Sequence, residues 1–291
     1  MKKTAILTLC LMFLSSFSLA LTETGLSPRV MVPGEMYHIR HDYKGEWISN
    51  DMSVASIDQD GWVTATDEGS TVITPNDPSI QYELHITVKQ EPEAPEKIKE
   101  AISIALREWE AFQGTRLRQS NKYTAWYYGP KASFGWCGAF TSYCLSEAGV
   151  PLEKTDTWRD AVPLPDGRPH GAREAAVPKL LAAFSNMDRV SSIPRPGYLV
   201  IYGNRGGYKT THVGLVSSVR DMGDGVYLLE TVEGNLGGRV KRLSYLYNSR
   251  TEDPKRNMAV LPETQQTQPD VFQYRLNDDS WRVTAFAQTW Y

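Results

Sequence analysis

The sequence predicts a two-domain chain: an all-β sandwich followed by an α+β domain in which helices precede an antiparallel sheet. Three observations predict it. Residues 21–89 hold short runs rich in Val, Ile, Thr and Tyr, broken at even spacing by Asp, Gly, Asn and Pro, the pattern of a small sandwich. Residues 90–96, Gln90-Glu91-Pro92-Glu93-Ala94-Pro95-Glu96, read as a linker stiffened by proline and extended by acid repulsion. Beyond it, helical periodicity gives way to strands joined by hairpin turns.

Composition narrows the class. At roughly 150 residues per domain, 291 residues suit two domains. A content of 41% hydrophobic and 22% charged residues excludes a disordered chain, a collagen-like fibre and a coiled coil. With 31 Lys+Arg against 34 Asp+Glu, a net charge of -3 and no long basic run, the composition argues against a dedicated nucleic-acid binder. Three cysteines are too few for a disulfide-stapled scaffold.

Residues 1–20 have the three parts of a secretory signal. Lys2 and Lys3 are followed by an apolar stretch from Ala5 to Leu14 and by Ser18-Leu19-Ala20, with small residues where a signal peptidase reads. The stretch is short for a membrane span, so the reading is a cleaved signal, with a retained anchor as the alternative. Cleavage would remove two lysines and no acid, taking the net charge from -3 to -5, and would also remove Cys10. Leu9 precedes Cys10, unlike a lipoprotein signal. The opening MKKTAI resembles the signals of enteric outer-membrane proteins. The expected location is the periplasm or the exterior, with no stable membrane insertion after cleavage.

In residues 21–89 the expected strands are Met36–Arg40, Ser53–Asp58, Trp62–Ala65, Ser70–Thr74 and Tyr82–Val88. The blocks Trp47–Asp51, Ser53–Asp58, Gly61–Ala65 and Gly69–Ile73 resemble the bacterial immunoglobulin-like group 2 domain in composition and order. That resemblance implies a spacer or adhesive module.

In the second domain, Ile98, Ala101, Ile102, Ala105, Trp109 and Phe112 recur at spacings of three and four and predict a helix from Lys97 to about Gln113, stopped by Gly114. A second helix is expected from Cys137 to Ala148, with Gly149 as its stop. A loop-rich insert covers Glu153–Gly171 and a short helix lies around Pro178–Phe184. Strands follow at Tyr198–Tyr202, Thr211–Val219, Val226–Glu233, Arg239–Leu243 and Met258–Leu261, with turns at Gly203–Gly207 and Asp221–Gly225. The boundaries read as 97–265 for this domain and 266–291 for a C-terminal tail whose end, Asp279–Tyr291, reads as one more strand.

The cysteines carry the sharpest chemical signal. After cleavage only Cys137 and Cys144 remain, seven apart in a predicted helix. A rise of about 1.5 Å per residue separates their Cα atoms by about 10 Å, beyond the roughly 7 Å that a disulfide tolerates. Cys137 opens the helix, where free N–H groups and the dipole favour a thiolate. Cys144, two turns on, reads as small apolar filler. A thiolate nucleophile needs a base. His170 lies in the Pro/Gly-rich Pro169-His170-Gly171, whereas His212 sits on a strand that fixes its direction, so His212 is the better candidate. Glu233 or Asn235, on the next strand, can accept the imidazole N–H and hold its tautomer.

Five blocks now carry a family resemblance: Asn121–Gly129, Trp136–Pro151, Pro194–Gly203, Thr211–Val219 and Thr231–Tyr245. In order and spacing they resemble the CHAP family of cysteine, histidine-dependent amidohydrolases and peptidases, over about residues 97–262. The resemblance implies an α+β papain-like fold with Cys137 as nucleophile, His212 as base, Glu233 as the orienting third member and Asn235 as a polar fourth. It implies hydrolysis of an amide bond in peptidoglycan, between muramic acid and L-alanine or within the peptide. The chain departs from the family's common "PGD" by placing Tyr198 after Gly197. No Asp-rich loop stands between Gln113 and Cys137, so no metal and no cofactor is expected.

The Cys137 backbone N–H can serve the oxyanion, with Tyr123 or Asn121 as the expected second donor. Among the aromatics near Cys137, Tyr123, Trp126 and Trp136 are expected to line a groove for glycan or peptide. Leu261-Pro262-Glu263-Thr264 lacks the glycine and apolar tail of a sortase signal. The reading is therefore an exported peptidoglycan hydrolase for wall remodelling or antibacterial attack, in the second case with an immunity protein as partner. Two alternatives stand beside it: a surface-binding or adhesive protein with a catalytically silent second domain, and a cysteine amidase for a small substrate outside the wall.

Overall fold

The structure, a computed structural model, describes residues 29–290 apart from 40, 42, 91–92, 155–168, 188, 204–209, 252–256, 260–271 and 274–281. The expected signal at 1–20, most of the 153–171 insert, residues 204–207 of the first turn and the Leu261–Thr264 motif lie outside the described residues.

Among the described residues of the N-terminal unit, β1 (Arg29–Met31), β7 (Leu84–Val88), β6 (Gly69–Pro75) and β3 (Trp47–Ser49) form one sheet in that order. The strands β2 (Met36–His38), β5 (Trp62–Ala65) and β4 (Ala55–Ile57) form a second, in the order β2-β5-β4. Alternation decides which side chains face inward: Thr71, Ile73 and Pro75 of β6 are buried while their neighbours are not. The two sheets close on one core, with Met31, Trp47, Ile73 and Ile86 from the first and Ala55, Val63 and Ala65 from the second. All five expected strands form. The sequence reading omits β1 and β3, which at three residues each are too short for alternation to register.

The second unit opens with α1 (Glu96–Phe112), whose Ile98, Ala101, Ile104 and Ala105 are buried. Then come α2 (Lys122–Tyr128), α3 (Cys137–Glu147), the short strands β8 (Leu152–Lys154) and β9 (Gly171–Arg173), and α4 (Val177–Asn186). Unlike α1, α3 has no single apolar face. Cys137–Ser142, Cys144 and Leu145 are all buried, as befits a helix enclosed by neighbours.

The sheet against which α3 packs is formed by β10 (Val190–Ser191), β11 (Leu199–Gly203), β12 (Thr210–Asp221), β13 (Val226–Glu233), β14 (Lys241–Asn248), β15 (Met258–Ala259), β16 (Phe272–Gln273) and β17 (Arg282–Ala287). Its order is β10-β17-β11-β12-β13-β14-β15, with β16 pairing β14. The neighbours along that order are antiparallel.

One element corrects the sequence reading. The strand read as an addition beyond residue 265 is an inner strand of this sheet, bonded on one side to β10 and on the other to β11. Its apolar residues explain the position, since Val283, Ala285, Phe286 and Ala287 are all buried, as in a strand covered on both faces. The chain beyond it is fastened too: Thr289 Oγ1 donates to the Gly197 carbonyl at 2.8 Å and Trp290 Nε1 to that of Pro196 at 2.9 Å.

Candidate active site

Helix α3 begins at Cys137 because Trp136 takes a non-helical conformation (φ -104, ψ 17) and no side chain caps the helix start. The first-turn N–H groups are left for another partner. Trp136 anchors this start: its ring is fully buried and stacks on Tyr123, with centroids 5.1 Å apart and planes at 18°. Gly138 lets the helix pass beneath the 174–175 backbone, since a Cβ there would lie 2.6 Å from the Ala175 carbonyl oxygen. Cys137 retains 7% of its surface. It lines a cleft of about 400 Å³ together with Gly135, Pro178, Thr211, His212 and Asn235.

Strand register brings the other groups to Cys137. His212 of β12 pairs with Tyr202 of β11, and the two rings lie nearly parallel with centroids 5.8 Å apart. Glu233, the last residue of β13, meets the same imidazole: His212 Nε2 lies 2.8 Å from Glu233 Oε2. The other carboxylate oxygen accepts from Tyr202 Oη at 2.5 Å and from Thr231 Oγ1 at 2.8 Å. Tyr202 has one proton and gives it to Glu233, so Tyr245 Oη, 2.8 Å away, is the donor in the Tyr202–Tyr245 pair. The space for the Glu233 stem exists because residue 214 is glycine. A Cβ there would lie 2.7 Å from Glu233 Cγ.

His212 is 5% exposed and Glu233 1%. A buried carboxylate is costly unless it is hydrogen-bonded, and three donors surround this one. For His212, burial alone favours the neutral ring. Hydrogen bonds with Cys137 and Glu233, and their charge, outweigh it and raise the pKa from 6.5 to about 10. Since Nε2 is taken by Glu233, Nδ1 is the nitrogen left for the Cys137 sulfur. Tyr202 and Tyr245 are pushed well above the usual tyrosine range, by burial first and then by the Glu233 charge, so both stay neutral donors. The result is a chain Tyr245–Tyr202–Glu233–His212–Cys137 in which the last member opens on solvent. Chemically, this arrangement can hold an imidazolium beside a sulfur and deliver its proton to a group in the cleft.

Of the two acceptors left open by the sequence, Glu233 is the one bonded to the imidazole. Asn235 turns away from the strand with φ +62 and lines the cleft beside Cys137 and His212. Its Nδ2 lies 3.6 Å from where a Cβ on Gly135 would sit.

The expected aromatic groove is not built from the expected rings. Tyr123 and Trp136 have no exposed surface, and Tyr123 Oη donates to Glu108 Oε2 at 2.6 Å. They are core, which anchors α3. Trp126 is half-buried beneath the Arg173 guanidinium, 4.9 Å from its centroid, and does not line the cleft. Neither expected second oxyanion donor is available. The Tyr123 hydroxyl is spent on Glu108. Asn121 caps α2, with Oδ1 accepting from the amides of Tyr123 and Thr124 and Nδ2 donating to the Arg118 carbonyl.

His170 is buried away from the cleft, where burial and then Arg189 lower its pKa to about 4, a neutral core histidine. Cys144 is fully buried and burial pushes its thiol up. Both Cys137 and Cys144 are free thiols. Sequence reasoning missed Tyr202, Thr231 and Tyr245. Thr231 left a signal, because it stands two residues before Glu233 on a strand and so shares its face. Among the described residues no group of three or more His, Cys, Asp or Glu is arranged to hold a metal.

Residues 126–235 match the CHAP domain family. The matched segment runs from Trp126 in α2 to Asn235 and contains Cys137, His212 and Glu233. The match supports a peptidoglycan amidohydrolase or peptidase. No curated protein and no solved structure matches the chain.

Proposed function

We propose that the chain is an exported peptidoglycan hydrolase that cleaves an amide bond with Cys137 as its nucleophile, either as a muramoyl-L-alanine amidase or as a peptidase of the stem peptide or cross-link. The single observation that carries the reading is His212 held between Cys137 and Glu233 at the floor of an open cleft.

The Cys137 thiolate attacks the amide carbonyl and forms a C–S bond as the carbonyl π electrons move to oxygen. The oxyanion is received by the Cys137 backbone N–H at the start of α3. The Asn235 side-chain amide is the second donor. When the C–N bond breaks, His212 gives its Nδ1 proton to the departing amine, leaving a thioester. His212, now neutral, takes a proton from water, and the hydroxide displaces sulfur. A carboxylic acid leaves, and thiolate and imidazolium are restored. Glu233 stays ionised throughout and stabilises the imidazolium, while Tyr202, Thr231 and Tyr245 hold the carboxylate in place.

The N-terminal unit, with its likeness to immunoglobulin-like group 2 modules, is a spacer or adhesive element that holds the catalytic unit near the wall. Residues 1–20 direct export, to the periplasm or beyond. Purified sacculi incubated with wild type and Cys137→Ala, with products read by mass spectrometry, test the proposal. Fragments released by wild type alone support it and their masses name the bond. No Cys137-dependent release would sink it.

A further inference from the structure

A second cleft, of about 580 Å³, opens beside the catalytic one. Arg116, Leu117 and Arg118 form one wall and Gly238 belongs to the other. The two clefts share Asn235 and Gly237, so a chain seated over Cys137 runs on past Asn235 into the second.

The wall is built by the fold. Leu117 N–H donates to the Gly238 carbonyl at 2.8 Å, and Arg239 Nε donates to the Gly114 carbonyl at 3.4 Å. Together these lay residues 114–118 against the 237–239 turn. Gly238, at φ +75, permits the approach: a Cβ there would lie 3.2 Å from Arg116 Cγ and 3.3 Å from the Leu117 carbonyl oxygen. Arg116 therefore rests on the turn that follows Asn235.

Elsewhere several surface cations have carboxylate partners: Arg107 with Glu100 at 2.8 Å, Lys122 with Glu108 at 2.6 Å and Arg242 with Glu230 at 2.5 Å. Among the described residues, no carboxylate pairs with Arg116 or Arg118, and no Asp or Glu lines either cleft. This concentration of positive charge occurs on a chain whose net charge is -3. Guanidinium groups are suited to carboxylates through paired N–H donors.

We propose that the Arg116–Arg118 cleft is a subsite for the carboxylates of an acidic peptide, on one side of the amide that Cys137 attacks. The inference rests on the catalytic reading above and names the substrate class: a wall peptide with free acid groups, in preference to its amidated counterpart.

The test uses one synthetic cross-linked muropeptide, which carries both the muramoyl-L-alanine bond and the peptide bonds, in two forms, with its carboxylates free or amidated. Wild type should favour the free acid by about tenfold in kcat/KM, the effect of a few exposed charge pairs acting together. In Arg116→Gln/Arg118→Gln the ratio should fall to within about twofold, and Gly238→Ala, which pushes on Arg116, should lower it in the same direction. Calorimetric binding of both peptides to Cys137→Ala should give the same preference without turnover. The preference should also shrink with salt, as the screening length falls from about 8 Å at 0.15 M to about 3 Å at 1 M. Cys137-dependent cleavage with an equal acid-to-amide ratio in wild type and the double variant would overturn the subsite and leave the catalytic reading standing. Absence of Cys137-dependent cleavage of either peptide would overturn both.

Discussion

His212 Nε2 sits 2.8 Å from Glu233 Oε2, in a pocket where the two residues keep 5% and 1% of their surface. The contact spends one imidazole nitrogen on a fixed carboxylate and leaves the other for Cys137. Together with the hydrogen bond to Cys137 it also reverses the effect of burial. An isolated histidine at this depth would be neutral, as His170 is, whereas His212 is held as an imidazolium. Burial by itself thus does not decide the state of a histidine here. Cys137 and the carboxylate together do, and Tyr202 and Thr231 hold the carboxylate.

Glu233→Gln keeps the shape of this contact and removes its charge. The His212 pKa, raised to about 10 by Cys137 and Glu233, should fall. With the imidazolium as proton donor, as proposed, activity should be lost as pH rises through that pKa. The alkaline limb of kcat/KM should therefore move to lower pH in the variant, with the rate at its optimum reduced by about 10²- to 10⁴-fold. A pH–rate profile on a wall peptide measures both. An unmoved alkaline limb would mean that Glu233 does not set the charge of His212.

The same shift has a consequence for stability. The folded His212 pKa lies above its unfolded value of 6.5, so folding favours the protonated ring. That contribution is fully present below about pH 6.5 and is lost as pH rises through about 10. Wild type and His212→Gln, compared by denaturant unfolding from pH 6 to 10.5, should converge as pH rises. A gap between them that is constant with pH would contradict the raised pKa.

The two cysteines should separate under alkylation of the native chain. Cys137 lines the cleft, whereas Cys144 is fully enclosed with its thiol pushed up by burial. Iodoacetamide should label peptides carrying Cys137 and spare those carrying Cys144 until denaturant is added. Cys144→Ala should cost about 1–2 kcal/mol of stability through the space it leaves and retain hydrolysis, while Cys137→Ala should lose it. Equal labelling of both thiols in the native state would argue against the enclosed position of Cys144.

Much of this was legible in the residues, for reasons that differ between elements. The α1 helix announces itself by spacings of three and four. The β12–β13 hairpin does so by β-branched runs around Asp221–Gly225. The α2 helix was missed because it is seven residues long and rich in aromatics, although Asn121 followed by Thr124 already spelled a capping box. The position of β17 was out of reach, since its partners β10 and β11 lie about 80 to 100 residues earlier and strand order is a property of long-range pairing. At the site, Cys137, His212 and Glu233 stood out by residue type and element. Tyr202 and Tyr245 did not, because the Tyr245–Tyr202–Glu233 chain exists only once register sets β11, β12, β13 and β14 side by side. Tyr123 and Trp136 were misassigned because an aromatic near a nucleophile looks the same in sequence whether it faces substrate or core.

Gly214→Ala tests whether that register is what holds the site. Gly214 pairs with Val200 in the middle of β12, and its backbone lies outside the left-handed region, so alanine meets no conformational penalty there. The obstacle is local: the new Cβ would lie 2.7 Å from Glu233 Cγ. Glu233 must shift, which moves its carboxylate away from His212 and from its Tyr202 and Thr231 donors. Overpacking of this kind costs about 1–3 kcal/mol. Gly223→Ala supplies the control. Gly223 has φ +86 with no atom within 4 Å of the added carbon, so it loses roughly 1 kcal/mol through backbone strain alone. It lies in the β12–β13 turn, outside the catalytic cleft. Both variants should unfold at lower denaturant than wild type, but only Gly214→Ala should also lower kcat and shift the alkaline limb downward. If both lose stability and neither loses kcat, the packing of Gly214 against Glu233 is dispensable for positioning the carboxylate.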